Sequence, residues 1–197
     1  MGKFLWVLDN GHGKGTPGKR SPKLDNGTQF LEYEFNRDIV KRLITLLKDH
    51  GIAHHNLVPE LESDISLKDR VSRANNLQSE LMKIYVSVHA NAADNSGTWH
   101  PASGIETYCF RTATKSERLA KAFQKHLVNK TGWKNRGVKT ANFYVIRHTR
   151  MPAVLTENGF YQNKEECTKL MSNEFRQKIA VAHFDAIKEI EQVGLNF

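Results

Sequence analysis

The sequence predicts an α/β fold, on three observations. Short apolar runs alternate with segments of helical periodicity along the whole chain. Two of those runs, "KIYVSVHA" (83–90) and "AVLTE" (153–157), are apolar enough to be buried on both faces, as central strands are. No internal repeat, low-complexity tract or linker divides the 197 residues, so positions 1–197 read as one domain.

In order along the chain, strands are expected at 3–9, 52–58, 83–90, 104–110, 143–147 ("FYVIR") and 151–157. Helices are expected at 31–50, 66–81, 114–130, 163–170 and 173–192. The first helix closes on "KDHG", basic residues followed by Gly51, and the last opens on Ser172 or Asn173 as its N-cap. Between the first strand and first helix lies a long Pro/Gly/Lys loop, Gly13 to Gly27, of the kind that often carries function.

At 39% hydrophobic and 25% charged residues the composition is that of a folded globular domain and excludes disorder. The net charge of +8 suits an anionic partner: nucleic acid, membrane headgroups or a cell-wall polymer. None of the nucleic-acid-binding signatures is present, and the basic residues are spread along the chain rather than clustered. Cys109 and Cys167 are too few for a disulfide framework and read as small core residues. Met1-Gly2-Lys3 runs straight into a five-residue apolar stretch, too short for a signal-peptide core. No stretch reaches the length of a membrane span, so synthesis in the cytoplasm without a signal peptide, and no stable membrane insertion, are expected.

Chemistry is concentrated where apolar runs end. "FLWVLDNGHG" breaks into His12 between two glycines, and "YVSVHANAA" places His89 at the end of a second buried strand. In α/β sheets ligands bind beyond the carboxyl ends of the strands, so two such histidines can converge on one ion. A zinc hydrolase needs a third protein ligand and one open position. "FLEYEFNRDIV" offers Glu32 and Glu34. At about 100° per residue, Glu32 shares a helical stripe with Asn36, Ile39 and Leu43, whereas Glu34 falls with Asp38, Lys41 and Thr45 on the charged face. An acid within an apolar stripe is costly unless a cation satisfies it, which favours Glu32; in the helix's first turn an acid also favours the dipole with no metal. Glu157 ends the run "MPAVLTE", where it is either a general base or the partner of Arg136, Arg147 or Arg150.

Seven segments, "VLDNGHG", "LEYEFN", "SLKDRVSRANN", "YVSVHANAA", "GIETYCF", "NRGVKTANFYVIRHTRMPAVLTENGF" and "FRQKIAVAHFDAI", occur in the order found in zinc-dependent N-acetylmuramoyl-L-alanine amidases of the Amidase_3 type. The resemblance runs from about residue 4 to residue 190. It implies a single α/β domain with a mixed sheet flanked by helices, and hydrolysis of the amide joining N-acetylmuramic acid to L-alanine in peptidoglycan. It also implies one zinc ion per chain held by His12, Glu32 and His89, with Glu157 as catalytic base. Asn10 departs from the proline or alanine common before "GHG".

Three rivals share parts of this pattern: a basic nucleic-acid binder, a wall-binding module without catalysis, and a zinc peptidase cutting within the stem peptide. The missing signatures and spread basic residues argue against the first, and the presence of all four site residues argues against the second. His148 is either a cleft residue or exposed. Lys14, Lys19, Arg20 and Lys23 of the long loop are either carboxylate-binding groups beside the metal or a solvated basic surface. The expected partner is peptidoglycan, the expected state a monomer, and the expected setting that of an endolysin reaching the wall after release from the cell.

Overall fold

The computed structural model describes residues 2–195. Met1, which opens the segment read as lacking a leader, lies outside them. Six strands, β1 (Phe4–Asn10), β2 (His54–Asn56), β3 (Met82–Asn91), β4 (Ile105–Cys109), β5 (Asn135–Thr140) and β6 (Ala153–Phe160), form one sheet in the order β2-β1-β3-β6-β4-β5. β2, β1, β3 and β6 are parallel, β4 runs antiparallel to β6, and β5 is parallel to β4. The sheet is therefore mixed, and the two runs read as central, β3 and β6, are adjacent at its centre.

Three long helices, α1 (Glu32–Asp49), α3 (Lys115–Thr131) and α6 (Asn173–Val193), with the short α5 (Lys164–Met171), cover one face. Alternation along the strands feeds this layer: Trp6 and Leu8 of β1 and Ile84, Val86 and Val88 of β3 join Ile39, Leu43, Phe123 and Ile187 in the main core. Residues of opposite parity, Val7, Tyr85 and Leu155, point to the other face. They meet α2 (Leu67–Asn76) and the single-turn α4 (Tyr144–His148) through Val71, Ala74, Val145 and Ile146, together with Leu57 and Val58 after β2. Helix ends follow local chemistry. Ser66, Thr114, Asn163 and Ser172 each accept from backbone N–H groups at an N-terminus, and Gly132 at φ 69° closes α3. No helix among the described residues is long and apolar enough to cross a membrane.

Four expectations are corrected. "FYVIR" is not a strand but α4, because burying Val145 and Ile146 side by side against α2 and the sheet overrides their β propensity. The strand beside it is "NRGVKT", an edge strand too polar to read as one. The helix expected at 66–81 stops at Asn76. β6 continues to Phe160, so Glu157 lies inside a strand rather than at its end. Both cysteines are free and buried, as expected.

His183 on α6 is fully buried. Its Nδ1–H donates to the Ile179 carbonyl at 2.9 Å, and its Nε2 accepts from the Thr156 hydroxyl at 2.9 Å. Burial pushes its pKa down to about 4, against the bond to Ile179. A group whose folded pKa lies below its unfolded value opposes folding once the unfolded chain binds the proton. Stability should therefore fall by about 3 kcal/mol as pH drops from about 6.5 to about 4. Denaturant titrations across that range should show this loss, and a His183→Gln variant should have a flatter profile.

Candidate metal centre and catalytic cleft

β1, β3 and β6 are parallel neighbours, so their carboxyl-terminal portions lie along one edge. β1 leads directly into His12; β3 presents His89; and Glu157 of β6 is the register partner of His89, on the same face. Glu32 arrives from the first turn of α1. One ligand atom from each of His12, Glu32 and His89 lies within 4.8 Å of the others. Glu32 Oε1 is 3.0 Å from His89 Nδ1 and 3.3 Å from His12 Nε2.

Glu32 is 1% exposed, whereas Glu34 lies exposed and accepts from the Tyr33 hydroxyl at 3.1 Å. The helical-face argument separated the two acids correctly in space. Burial raises the Glu32 carboxyl, and positive charge on the His12 and His89 side, where the rings converge, lowers it well below the usual carboxylate range. Glu32 Oε2 is nevertheless buried without a hydrogen-bond partner.

The His89 tautomer follows from its neighbours. Asp9 is buried at 1% exposure and accepts from the Ser87 hydroxyl at 2.6 Å and the Tyr85 hydroxyl at 2.8 Å. With its own proton committed to Asp9, Ser87 Oγ accepts from His89 Nε2–H at 3.1 Å. The Nδ1 lone pair of a neutral His89 then faces the Glu32 carboxylate, two electron-rich atoms that a shared cation would satisfy. Burial, resisted by Glu32, holds His89 below the ordinary histidine range, in keeping with a neutral ring. The orphaned oxygen, the aimed lone pair and the His-Glu-His donor set fit a metal ion.

His12 occupies the left-handed region at φ 64°, unusual for a residue with a Cβ. Two arginines hold it there: its carbonyl accepts from Arg37 at 2.9 Å and Arg70 at 3.1 Å. Arg70 also donates to Asp9 at 2.5 Å, to the Asn10 carbonyl at 2.8 Å and to the Ile65 carbonyl at 2.8 Å. The flanking glycines make room for protein. A Cβ on Gly11 would stand 1.9 Å from the His89 ring, and one on Gly13 would stand 2.4 Å from the Asp64 backbone.

Glu157 lines the same cavity, of about 580 Å³, with its Oε2 buried and unpartnered. Burial first, and then the charge of Glu32, raise its carboxyl well above the usual range. None of the three arginines considered as partners pairs with it: Arg136 binds Glu106, the Arg147 side chain donates to Asn142 at 3.0 Å, and no hydrogen bond or ion pair joins Arg150 to Glu157. The adjacent carboxyls are thus split, Glu32 low and Glu157 high, as acid–base pairs in enzymes are. His148 is exposed and stacks on Tyr144, away from the cavity lining. Asp9, Ser87 and Arg70, which orient this centre, were not singled out from sequence. The signal available was an aspartate closing an apolar strand and an arginine on the side of α2 that carries Val71 and Ala74.

If Glu32 is the ligand, Glu32→Gln should lower metal affinity by roughly ten- to a hundredfold or more, and Glu34→Gln should leave it unchanged. Competition with a chromogenic chelator measures both; the reverse order would move the ligand to Glu34.

The profile of a family described as N-acetylmuramoyl-L-alanine amidase matches residues 7–189. The chain is 39% identical over 187 residues to the N-acetylmuramoyl-L-alanine amidase LytC of Bacillus subtilis (strain 168), covering 94% of this chain and 35% of that protein. It is 34% identical over 201 residues to the endolysin of Bacillus phage SPP1, covering 96% of this chain and 66% of the endolysin. Among solved structures, an N-acetylmuramoyl-L-alanine amidase from Clostridium difficile 630 superposes with a TM-score of 0.82 at 30% identity, covering 98% of this chain and 100% of the other. The chain thus spans about a third of LytC and about two thirds of the endolysin.

Proposed function

The chain belongs to the N-acetylmuramoyl-L-alanine amidase family, and from that membership we propose that it hydrolyses the amide between N-acetylmuramic acid and L-alanine in peptidoglycan, with one zinc ion held by His12, Glu32 and His89. The observation that carries the proposal is the convergence of three ligand atoms within 4.8 Å beside a buried, unpaired carboxyl in one cavity. Bound there, the ion supplies Lewis acidity that activates water and polarises the scissile carbonyl. Glu157 takes the proton of the attacking water and returns it to the leaving nitrogen of L-alanine. Burial and the neighbouring Glu32 charge raise its carboxyl above the usual range, the direction that suits a group which must hold that proton between the two steps. Glu32 stays ionised, as a ligand must, and Ser87 holds the His89 ring with Nδ1 free to bind.

The action proposed is on the cell wall, in lysis or remodelling. Similarity to a phage endolysin supports the first, and similarity to LytC supports an amidase role. Mass analysis of products released from purified peptidoglycan tests the reading. Free peptides beginning at L-alanine, lost on chelation and restored by zinc, are the expected outcome. Shortened peptides still attached to muramic acid would replace the amidase with a zinc peptidase, and no products would leave a wall-binding module.

A further inference from the structure

The four basic residues of the loop 13–27 face different surroundings. Lys14 reaches outward and pairs with Glu62 at 3.0 Å. Arg20 and Lys23 line a separate cavity of about 380 Å³ behind the loop. Of the four, Lys19 is the one that lines the cavity of the candidate metal centre. The division has a local cause. Arg20 forms an antiparallel bridge with Leu31, so the chain is extended there and side chains 19 and 20 leave on opposite sides. The Lys19 carbonyl also accepts from the Glu32 amide at 3.0 Å, which ties its backbone to the residue proposed to hold the metal.

No hydrogen bond or ion pair reaches the Lys19 ammonium among the described residues, although it is half-buried. Its field is felt at Glu157, whose carboxyl it pulls downward against burial. Among the other charged residues lining the cavity, Arg70 pairs with Asp9, and Asp64 accepts from the Thr16 hydroxyl at 2.5 Å and lies 3.7 Å from Arg70. Exposed Leu67, Phe143 and Tyr144 give the cavity an apolar lining. The cleft therefore offers apolar surface together with one unsatisfied cation.

This inference rests on the amidase reading, which decides which part of the substrate carries charge. The lactyl carboxyl of muramic acid is consumed in the scissile amide, and N-acetylated sugars are neutral, so the anionic groups lie on the peptide. We propose that Lys19 is a specificity-determining residue whose ammonium binds a peptide carboxylate on the residue following L-alanine. The contact is charge-assisted and formed equally before and during the reaction, so it should act on KM rather than on kcat.

Two synthetic substrates test this: N-acetylmuramoyl-L-alanyl-D-glutamate with both carboxyls free, and the same compound with both converted to carboxamides. The unsubstituted protein loaded with zinc should favour the acid by about tenfold in kcat/KM, carried by KM, as one charge-assisted contact gives. Lys19→Met should abolish that preference, Lys19→Arg should retain it, and Lys19→Glu should reverse it. Cleavage of the diamide by every variant checks that each is folded and loaded. A preference that is absent from the start, or that survives Lys19→Met, overturns the proposal. So does an equal fall in kcat on both substrates, which would assign Lys19 to Glu157 instead. Release of alanine-terminated peptides from purified peptidoglycan by the unsubstituted protein tests the amidase reading separately.

Discussion

Glu157→Gln should lower kcat on peptidoglycan by roughly a hundred- to ten-thousandfold, the range for removing a positioned general base, while zinc affinity at the proposed site is unchanged. The two halves of the result are separable because Glu157 is not among the three residues whose ligand atoms cluster. Its Oε2 is buried without a partner, so the amide of glutamine replaces the carboxyl without breaking a hydrogen bond at that oxygen. The substitution also removes a carboxyl whose ionised form is disfavoured by burial and then by the Glu32 charge, so melting temperature should hold or rise. Metal analysis, thermal melting and turnover on one preparation decide the matter. If bound zinc fell in parallel with turnover, Glu157 would be a ligand and the base would have to be sought elsewhere.

Arg70→Met should destabilise the protein by about 3–5 kcal/mol, the usual cost of removing one partner from a buried ion pair. Arg70 is 2% exposed and Asp9 is 1% exposed, so the surviving carboxylate would have no water to turn to. The carbonyls of Asn10 and Ile65 would lose their Arg70 donor, and that of His12 would keep only Arg37. At this chain length the loss corresponds to a fall of about 10 °C or more in melting temperature. The Asp9 carboxyl sits below its ordinary range because Arg70, Ser87 and neighbouring groups overcome the burial that would raise it. Its contribution is thus complete above the unfolded pKa and disappears as pH falls through the lower folded value. Adding Asp9→Asn to Arg70→Met should recover part of the stability, since the double variant no longer buries an unpaired charge. Full additivity of the two losses would mean that the residues do not act as a pair.

Much of the site was legible because its residues interrupt strong patterns. His12, His89 and Glu157 each stand in or directly after an apolar run, and Glu32 stands in the apolar stripe of an amphipathic helix, where its burial could be read from angular position alone. β5 and α4 were illegible for the opposite reason. β5 is an edge strand with polar residues and Gly137 at φ 84°, while α4 is a single turn whose β-branched residues are placed by the surfaces they cover. Glycines on both sides of His12 suggest room for a metal and a substrate strand, but the room is taken by the His89 ring and the Asp64 backbone, a long-range fact. The same holds for Arg70, whose five hydrogen-bond and charge partners come from two separate stretches of chain, 9–12 and 64–65.

The unequal cladding of the sheet has a consequence for redesign. The face that carries most of the core is closed by helices of 18, 17 and 21 residues, while the face bearing the cleft is covered by helices of only 10 and 5. Most of the apolar core therefore lies on the side away from the cleft, while the cleft side adds the buried Arg70–Asp9 pair. Cleft-side loops outside the Arg70 network can be lengthened or recoded while the helical layer beneath keeps its packing, which makes the domain a base plate with an exchangeable tool head.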